Sequence, residues 1–497
     1  MDVPSASQAC IKNVVAKNRW VVHLNETNRP ISLAGTPAAS PLGYYSWTFG
    51  QAARDPLYIM VIIYIFFPYF SNVVVGDPVR GQALIGYLNA GAGVFMALTI
   101  PFLGAIADKI GKRKPWILGS HLLMAVIAVS LWWILPGGQG VGLGLGFFLL
   151  LILLIAFGYA EVFHNAMLPA VSPIDNAGII SGMAFSLGNM CAIGLLIFVL
   201  FAFALPGTLD WSFLPSAPLF GIDKDLHEHD RIVGPLGGLW LLIASIPLFL
   251  FTPDGKASGN PVFASVQQGL KDVVNTIKQL KHYSNIAIYL LSRMFFNDGM
   301  AGVLVFNGVY ASGTFGWDTI ALLLLGIFTS TSAMIGAYLG GLVDDKLGSI
   351  KTLKIAIGMT TLILIGLVSM QPDTIFFVVS VSTEPVWSSP YFSTVAEVIY
   401  FLMFQVFALF FVTGLSASRT LMAKISPPEM ATQFFALYSL SGTVTAFLAP
   451  LLVGTTTAIF QSQRAGFASL ILLMVIGAIM LFLVKEERST VAPGQRQ

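Results

Sequence analysis

The chain has 497 residues, of which 56% are hydrophobic and only 10% are charged, and its mean hydropathy is +0.80. Soluble globular domains carry about 25% charged residues, so this composition excludes an ordinary soluble protein. The net charge is only +2, and the basic residues are scattered between apolar runs, which argues against a nucleic-acid partner. The two cysteines, Cys10 and Cys191, have no metal-ligand spacing. The composition therefore indicates an integral membrane protein, and we expect no cofactor.

Apolar runs long enough to cross a membrane recur throughout the chain. A helix of about 20 residues crosses a hydrocarbon core of about 30 Å. Runs of this length lie near residues 47–70, 82–106, 115–135, 141–163, 178–204, 232–252, 285–312, 319–343, 352–371, 394–416, 431–457 and 464–484. The polar stretch 1–46 lacks the apolar core of a signal peptide, so we expect a cytoplasmic tail there. The sequence predicts an all-α integral membrane protein with twelve transmembrane helices.

The connection over residues 253–284 divides these spans into six and six. It separates a first bundle over 47–252 from a second over 285–484, and a short cytoplasmic tail over 485–497 follows. Its apolar residues recur at helical spacing: Phe263, Val266, Leu270, Val273, Ile277 and Leu280. We interpret the connection as an amphipathic linker helix on the cytoplasmic membrane surface, with a regulatory target as the alternative.

The basic residues are distributed unevenly between the two sides of the membrane. If the N-terminus is cytoplasmic, two of the 26 lysines and arginines fall within spans and only four fall outside the cell membrane: Arg80, Lys224, Arg231 and Arg464. This asymmetry predicts that both termini are cytoplasmic. The outer stretch "GIDKDLHEHDR" at 221–231 holds His227 and His229, which could bind a metal. Its mixed charge favours a solvated loop instead, and no metal site is predicted.

Similar stretches occur at corresponding places in the two bundles. "GAIADKIGKRK" at 104–114 follows the second span, and "GLVDDKLGSIK" at 341–351 follows the eighth. "MLPAVSP" at 167–173 likewise matches "LMAKISP" at 421–427. The matched residues include Gly104 with Gly341, Asp108 with Asp345, Gly111 with Gly348, and Arg54-Asp55 with Asn297-Asp298. Their common order indicates a duplication with parallel topology.

Several of these stretches resemble a known transporter superfamily. "GAIADKIGKRKPW" is similar to the loop signature of the major facilitator superfamily. "IFFPYF", "SRMFFNDG", "GTFGW" and "SRTLMAKISPPEMATQFFALYSLSGTVTAFLAPLLVG" resemble its vacuole-effluxer-like branch, and the resemblance runs from about residue 46 to residue 455. It implies two parallel six-helix halves whose helices one, four, seven and ten line a central cavity. The branch commonly has an acidic residue early in helix one, where this chain has Gln51.

The repeated loop also predicts a conformational latch. A carboxylate beside a helix end can interact with the positive end of a neighbouring helix or with an arginine, and glycines permit close approach. We therefore expect a latch formed by Gly104, Asp108, Gly111 and Arg113. In the second half Ile350 stands where the first has Arg113. A weaker latch formed by Gly341, Asp345 and Gly348 is expected there.

Polar side chains inside the predicted spans are the candidate functional residues. A charge in a span costs about 3 kcal/mol on insertion scales, so it usually faces a cavity or a partner. The candidate substrate or ion ligands are Arg54, Asp55, Arg293, Asn297, Asp298 and Glu397, and the candidates for proton coupling are Asp298 and Glu161. Balanced charges suit a zwitterionic solute, whose carboxylate would meet an arginine and whose ammonium would meet an aspartate. Salt bridges that hold the two halves together are the alternative.

Pro56 bears on the first of these candidates. Proline disfavours helical geometry in the residue before it and is tolerated in the first turn of a helix. We therefore expect the continuous first helix to begin near Pro56. In that case Arg54 and Asp55 would lie at a break or at the inner mouth of the transport path, where gating competes with substrate binding as their role.

Together these features predict a secondary transporter that moves a small polar solute, such as an amino acid or a similar metabolite, by alternating access. A cation-coupled sugar or glycoside symporter is the alternative, because "GKRKPW" at 111–116 also resembles that group. No HExxH motif, P-loop or paired His and Asp cluster is visible in the spans, so an enzyme is not expected. We expect a monomer in a bacterial cytoplasmic membrane, with the solute, a coupling proton or cation and the bilayer as its partners.

Overall fold

The computed structural model describes residues 29–32, 34–173, 176–209, 212–255, 278, 280–427 and 431–486. Over 101–102, 104–110, 178, 431–433, 435–436 and 439 it describes the backbone but not the side chains. Most of the predicted linker over 253–284 lies outside the described residues, which include 253–255, 278 and 280–284, with one turn of helix over Leu280–His282. The first and last predicted tails are described only over 29–32, 34–46 and 485–486.

The described chain is built from twelve long helices, named α1 to α12 in chain order. Their bounds are α1 Pro41–Val74, α2 Pro78–Ile110, α3 Lys114–Ser130, α4 Leu143–Val171, α5 Ala177–Val199, α6 Glu228–Phe251, α7 Ser284–Phe315, α8 Thr319–Leu347, α9 Ser349–Ser369, α10 Val395–Ile425, α11 in two segments Ala431–Thr443 and Leu448–Phe460, and α12 Gln463–Phe482. Between α9 and α10, β1 Thr374–Ile375 pairs antiparallel with β2 Val379–Ser380, with Thr374 opposite Ser380. Each predicted span falls on one of the helices.

Length and apolarity identify these helices as membrane spans. Within the described ranges, 11 helices are long and apolar enough to cross a membrane. The twelfth, α7, has 32 residues but includes Arg293, Asn297 and Asp298, which lower its apolarity. The expected all-α membrane architecture is confirmed.

The helices form two sets of six. In the first set α1 packs on α5, and α3 packs on α4 and α6; in the second, α7 packs on α12, and α8 and α9 pack on α10. The two sets meet where α2 packs on α11 and α5 packs on α8. We call the end that carries residues 29–40 and 252–255 the tail side, and the end that carries 205–227 and 370–394 the loop side.

Pro56 lies inside helix α1, which continues on both sides of it, so the predicted break at this residue is wrong. The helix begins at Pro41, where Ser40 Oγ accepts a hydrogen bond of 3.3 Å from the Gly43 amide. Because Pro56 has no amide hydrogen, the carbonyl of Ala52 loses its intrahelical donor. Trp240 Nε1 of α6 donates to that carbonyl at 3.0 Å instead. A partner in another helix therefore lets α1 continue, and Arg54 and Asp55 lie inside it.

Removing this partner tests the explanation. In a Trp240→Phe variant the buried Ala52 carbonyl has no donor, so we expect the free energy of unfolding to fall by about 1–3 kcal/mol. Denaturant unfolding of the detergent-solubilised protein measures the change. Trp133→Phe is the control, because Trp133 is 53% exposed and its replacement should have little effect. Equal stability of the Trp240→Phe variant and the unsubstituted protein would contradict the compensation.

The two halves are closed against each other on the loop side. Asn72 Nδ2 donates to Ser312 Oγ at 2.7 Å, and Gln82 Nε2 donates to Thr457 Oγ1 at 2.8 Å. Backbones also approach closely there, since a Cβ on Gly308 of α7 would overlap the Ile63 carbonyl oxygen of α1. On the tail side, the described residues show one hydrogen bond between side chains of the two halves. Arg419 Nη1 donates to Ser181 Oγ at 3.5 Å. The structure therefore represents a loop-side-closed state.

Candidate functional site

Arg54 and Asp55 form the centre of a buried polar cluster in the first half. The Arg54 side chain is 2% exposed, and its Nη2 lies 3.4 Å from Asp55 Oδ1. Its guanidinium also lies over the Phe157 ring of α4, 5.0 Å from the ring centre. Within the part of the chain that the structure describes, Arg54 Nε and Nη1 have no hydrogen-bond partner. Because a buried guanidinium usually satisfies its donors, Arg54 has capacity to bind a further acceptor.

Asp55 connects this cluster to helices α4 and α5. Its carboxylate interacts with the Gln51 side chain one turn earlier and electrostatically with Glu161 of α4. It also packs on the backbone of α5, since a Cβ on Gly188 would lie 2.7 Å from Asp55 Oδ2. Gln51 is thus a partner of Asp55 in this protein.

Two histidines that the sequence interpretation left out adjoin the same cluster. His164 Nε2 of α4 donates to the Trp47 carbonyl at 2.8 Å, while Trp47 Nε1 donates to the His164 carbonyl at 3.0 Å. Their rings stack with centres 4.4 Å apart. His121 of α3 is also buried, and both histidines interact electrostatically with Arg54. Both imidazoles therefore lie near the guanidinium of Arg54, and their described interactions include no aspartate.

A sequence signal for these histidines existed. His121 and His164 each interrupt an otherwise apolar run, and a polar residue within a span usually faces a partner or a cavity. The sequence does not show that α3 and α4 bring the two imidazoles to the same arginine. That proximity depends on how the helices pack.

The corresponding charges of the second half are engaged within that half. Arg293 Nη1 donates to the Tyr438 carbonyl and to Ser441 Oγ, both at 2.7 Å, and its guanidinium lies 3.7 Å above the Tyr438 ring centre. Asp298 Oδ2 accepts the Ala449 amide at 2.8 Å, at the start of the second segment of α11. Asn297 beside it is half-buried. Asp298 therefore stabilises a helix start within α11.

These contacts bear on the alternative that salt bridges hold the two halves together. Of the four charged side chains, Arg54 pairs with its neighbour Asp55, and Arg293 and Asp298 bond to groups of their own half. In the described ranges no ion pair joins Arg54 or Arg293 to a carboxylate of the other half. The alternative has no support from these contacts.

Glu397 has a local structural role on the loop side. Its Oε2 accepts the Thr394 amide at 2.9 Å while Thr394 Oγ1 accepts the Glu397 amide at 3.3 Å, which is a capping box at the start of α10. Its Oε1 accepts Trp317 Nε1 at 2.8 Å. These partners occupy both oxygens of the carboxylate.

The residues of the predicted latch fall into two groups. At Gly104 and Asp108 the structure describes the backbone alone, so the contacts of the Asp108 carboxylate lie outside the described part of the chain. In the second half Asp345 is exposed and Asp344, next to it, is buried, while Gly341 is half-buried. Gly111 and Gly348 follow the ends of α2 and α8 with φ of 69° and 84°, a left-handed conformation that favours glycine. A latch centred on Asp345 therefore has no described contact to support it.

Each half instead has a carboxylate that caps its third helix on the tail side. Asp254 accepts the amides of Arg113 and Lys114 at 2.8 and 3.2 Å at the start of α3. Glu486 accepts the Ile350 amide at 3.0 Å at the start of α9, and Lys424 Nζ lies 3.2 Å away. Burial alone would raise the pKa of Glu486, but the Ile350 amide and Lys424 outweigh it and hold that pKa below its usual value. The equivalent caps support a duplicated architecture.

Comparisons with known proteins agree on the type of protein. A family model described as "Vacuole effluxer Atg22 like" matches residues 72–178 and 171–493. The MFS-type transporter YxiO of Bacillus subtilis is 24% identical over 455 residues, which cover 90% of this chain and 95% of that protein. Autophagy-related protein 22 of Cryptococcus neoformans is 25% identical over 267 residues, which cover 52% of this chain and 44% of the fungal protein. The chain thus matches less than half of the fungal relative.

Solved structures with the same fold are also transporters. The crystal structure of a D-xylose-proton symporter matches with a TM-score of 0.63 and 13% identity. The match covers 90% of this chain and 100% of the symporter chain. The nucleoside transporter NupG has a TM-score of 0.60 and 12% identity, with coverage of 89% and 98%. At these identities the similarity shows the fold alone, and the fold is that of a major facilitator.

Proposed function

The chain belongs to the Atg22-like vacuole effluxer family of major facilitator transporters, and we propose that its solute is a small zwitterion such as an amino acid or a similar metabolite. Family membership makes the protein a secondary transporter of a small molecule in a membrane, and not an enzyme.

The observation that supports a zwitterionic solute is the state of Arg54. Its guanidinium is buried and two of its nitrogens have no acceptor within the described residues, while Asp55 beside it is 17% exposed. A solute carboxylate would satisfy the free donors of Arg54, and a solute ammonium would be attracted to Asp55. Because the charges of the second half are engaged, we propose that Arg54 and Asp55 are the main ligands and that Arg293, Asn297, Asp298 and Glu397 contribute less directly.

The same cluster supports a coupling role for protons. Asp55 and Glu161 are close enough to interact electrostatically, so a proton shared between them would reduce the repulsion of two carboxylates. We propose Glu161, together with Asp55, as the coupling pair. Asp298 remains a second candidate, although the hydrogen bond from the Ala449 amide to Oδ2 favours its ionised form.

We place the tail side in the cytoplasm of a bacterial cell and the protein in the cytoplasmic membrane. The excess of Lys and Arg on the tail side supports this orientation. The bacterial origin of YxiO, which matches nearly the whole chain, supports the membrane. We further propose that the protein works as a monomer, since each half already finds its packing partner within one chain.

A thermal-shift and counterflow experiment tests the solute class. Purified protein is heated with amino acids, dipeptides and sugars in parallel, and each stabilising compound is then tested for counterflow in proteoliposomes. We expect amino acids or similar zwitterions to raise the melting temperature and to exchange. An imposed pH gradient should drive uptake, and an ionophore should abolish it. Stabilisation by sugars alone would contradict the zwitterion proposal and favour the cation-coupled sugar symporter.

A further inference from the structure

Three side chains at the start of α6 lie together on the loop side. His227, His229 and Asp230 each offer one ligand atom, and these atoms lie within 4.8 Å of one another. The group is not solvated as the sequence suggests, because the side chains of Asp230 and His229 are only 4% and 15% exposed. The structure thus buries a carboxylate between two imidazoles.

Within the described ranges, Asp230 forms no ion pair with a lysine or an arginine. Its ion-pair contacts within the described ranges are His227 Nδ1 at 2.9 Å and His229 Nε2 at 3.7 Å. The neighbouring Arg231 points elsewhere, with Nη1 on the Trp132 carbonyl at 2.6 Å. A buried carboxylate is costly unless cations or hydrogen-bond donors compensate it. A bound cation would supply the missing charge.

Lys224 does not provide that charge directly. Its ammonium donates to the Ala204 carbonyl at 2.5 Å and to Thr208 Oγ1 at 2.7 Å. Burial lowers the pKa of Lys224, against the opposing effect of Asp318. Lys224 is therefore held by the segment that follows α5 and forms no ion pair with Asp230 in the described part of the chain.

We propose that His227, His229 and Asp230 bind a divalent transition metal of the zinc class. Two imidazoles and one carboxylate are a typical zinc ligand set, with water in the fourth position. Zinc about 2.1 Å from each donor in a tetrahedron sets the donors about 3.4 Å apart. The measured separations are 2.9 Å from His227 Nδ1 to Asp230 Oδ2 and 3.7 Å from His229 Nε2 to Asp230 Oδ1, so the two imidazoles contact different oxygens of the carboxylate. The three ligand atoms lie within 4.8 Å of one another and would move closer together on binding zinc. Magnesium and calcium prefer all-oxygen sites and fit less well.

The position of the site gives the metal a mechanical consequence. Thr319 at the start of α8 donates its hydroxyl to Asp230 Oδ1, so the carboxylate already joins the second half to the first. An outer hydrogen bond of this kind orients a metal ligand. A metal on Asp230 would fix the start of α6 and favour the loop-side-closed state, in which this contact exists.

Zinc titration of the full-length protein tests the site. The protein is purified with an affinity tag that contains no histidine and is stripped with EDTA. Zn²⁺ is then added during calorimetry, and retained zinc is measured after desalting. We expect one retained Zn²⁺ per chain and a higher melting temperature, and Mg²⁺ should produce neither. His227→Ala and His229→Ala each remove a ligand, so each should weaken Zn²⁺ binding by more than the roughly 10- to 100-fold that loss of an outer-shell partner costs.

Two further variants make the result specific. His282→Ala removes an exposed histidine on the tail side and should leave Zn²⁺ binding unchanged. Thr319→Val removes the contact between the halves while keeping all three ligands, so it should retain Zn²⁺ but lose most of the gain in melting temperature. If His229→Ala does not fold, His227→Ala decides, because that side chain is 37% exposed. Absence of retained zinc, or zinc that survives His227→Ala undiminished, would overturn the proposal.

Discussion

Replacing Arg54 with glutamine is expected to raise the KM for the solute about 10- to 150-fold, which corresponds to the loss of about 1.5–3 kcal/mol from hydrogen bonds to a charged group. The reason is that Arg54 holds the free guanidinium donors of the described cluster, while glutamine offers one short amide without charge. Initial rates of uptake into proteoliposomes over a range of solute concentrations measure the change.

The partner Asp55 complicates this test, and a double variant separates binding from stability. Arg54→Gln alone leaves the Asp55 carboxylate without its cation, so the melting temperature should fall. Arg54→Gln combined with Asp55→Asn removes both charges and should restore the melting temperature but not the solute affinity. If the double variant transports with an unchanged KM, the Arg54 and Asp55 pair is only structural.

Arg293 supplies a matched control for the same experiment. It is also a buried arginine within a helix, but it bonds to the Tyr438 carbonyl and to Ser441 and stacks on the Tyr438 ring. Arg293→Gln should therefore lower the melting temperature and leave the KM nearly unchanged. The contrast between the two arginines distinguishes a solute ligand from a packing residue.

The apolar runs predicted the twelve helices because the bilayer requires each span to satisfy its own backbone. The break expected at Pro56 failed for a reason that lies in another helix. The Ala52 carbonyl freed by Pro56 finds its donor in Trp240 of α6, 188 residues away in the chain. The proline in the sequence shows that the Ala52 carbonyl loses a hydrogen bond within the helix. Only the packed structure shows that Trp240 replaces it.

The candidate site was predicted in part for a similar reason. The cost of burying charge identified Arg54, Asp55, Arg293 and Asp298 from the sequence. Their partners could not be predicted, because Asp298 meets the Ala449 amide and Arg293 meets Tyr438 through the packing of α7 on α11. The sequence listed charges of both halves as candidate ligands, whereas among the described residues Nε and Nη1 of Arg54 but only Nε of Arg293 are buried nitrogens without a partner.

Replacing Gly308 with alanine is expected to shift the protein away from the loop-side-closed state. A Cβ at this position would overlap the Ile63 carbonyl oxygen, and a backbone atom of α1 cannot move aside without disturbing the helix. Overpacking of this kind costs about 1–3 kcal/mol. If the overlap destabilises the closed state alone, the ratio of closed to open molecules falls about 5- to 150-fold.

Distances between spin labels on the loop side measure the shift. Leu219 and Val386 are exposed and lie on the first and second halves, so cysteines there can carry the labels once Cys10 and Cys191 are replaced. Gly308→Ala should add a longer distance that is minor in the parent protein. Gly119→Ala is the control, because nothing lies within 4 Å of its added methyl group. An unchanged distance distribution in Gly308→Ala would show that the contact between α1 and α7 does not determine which side of the transporter is closed.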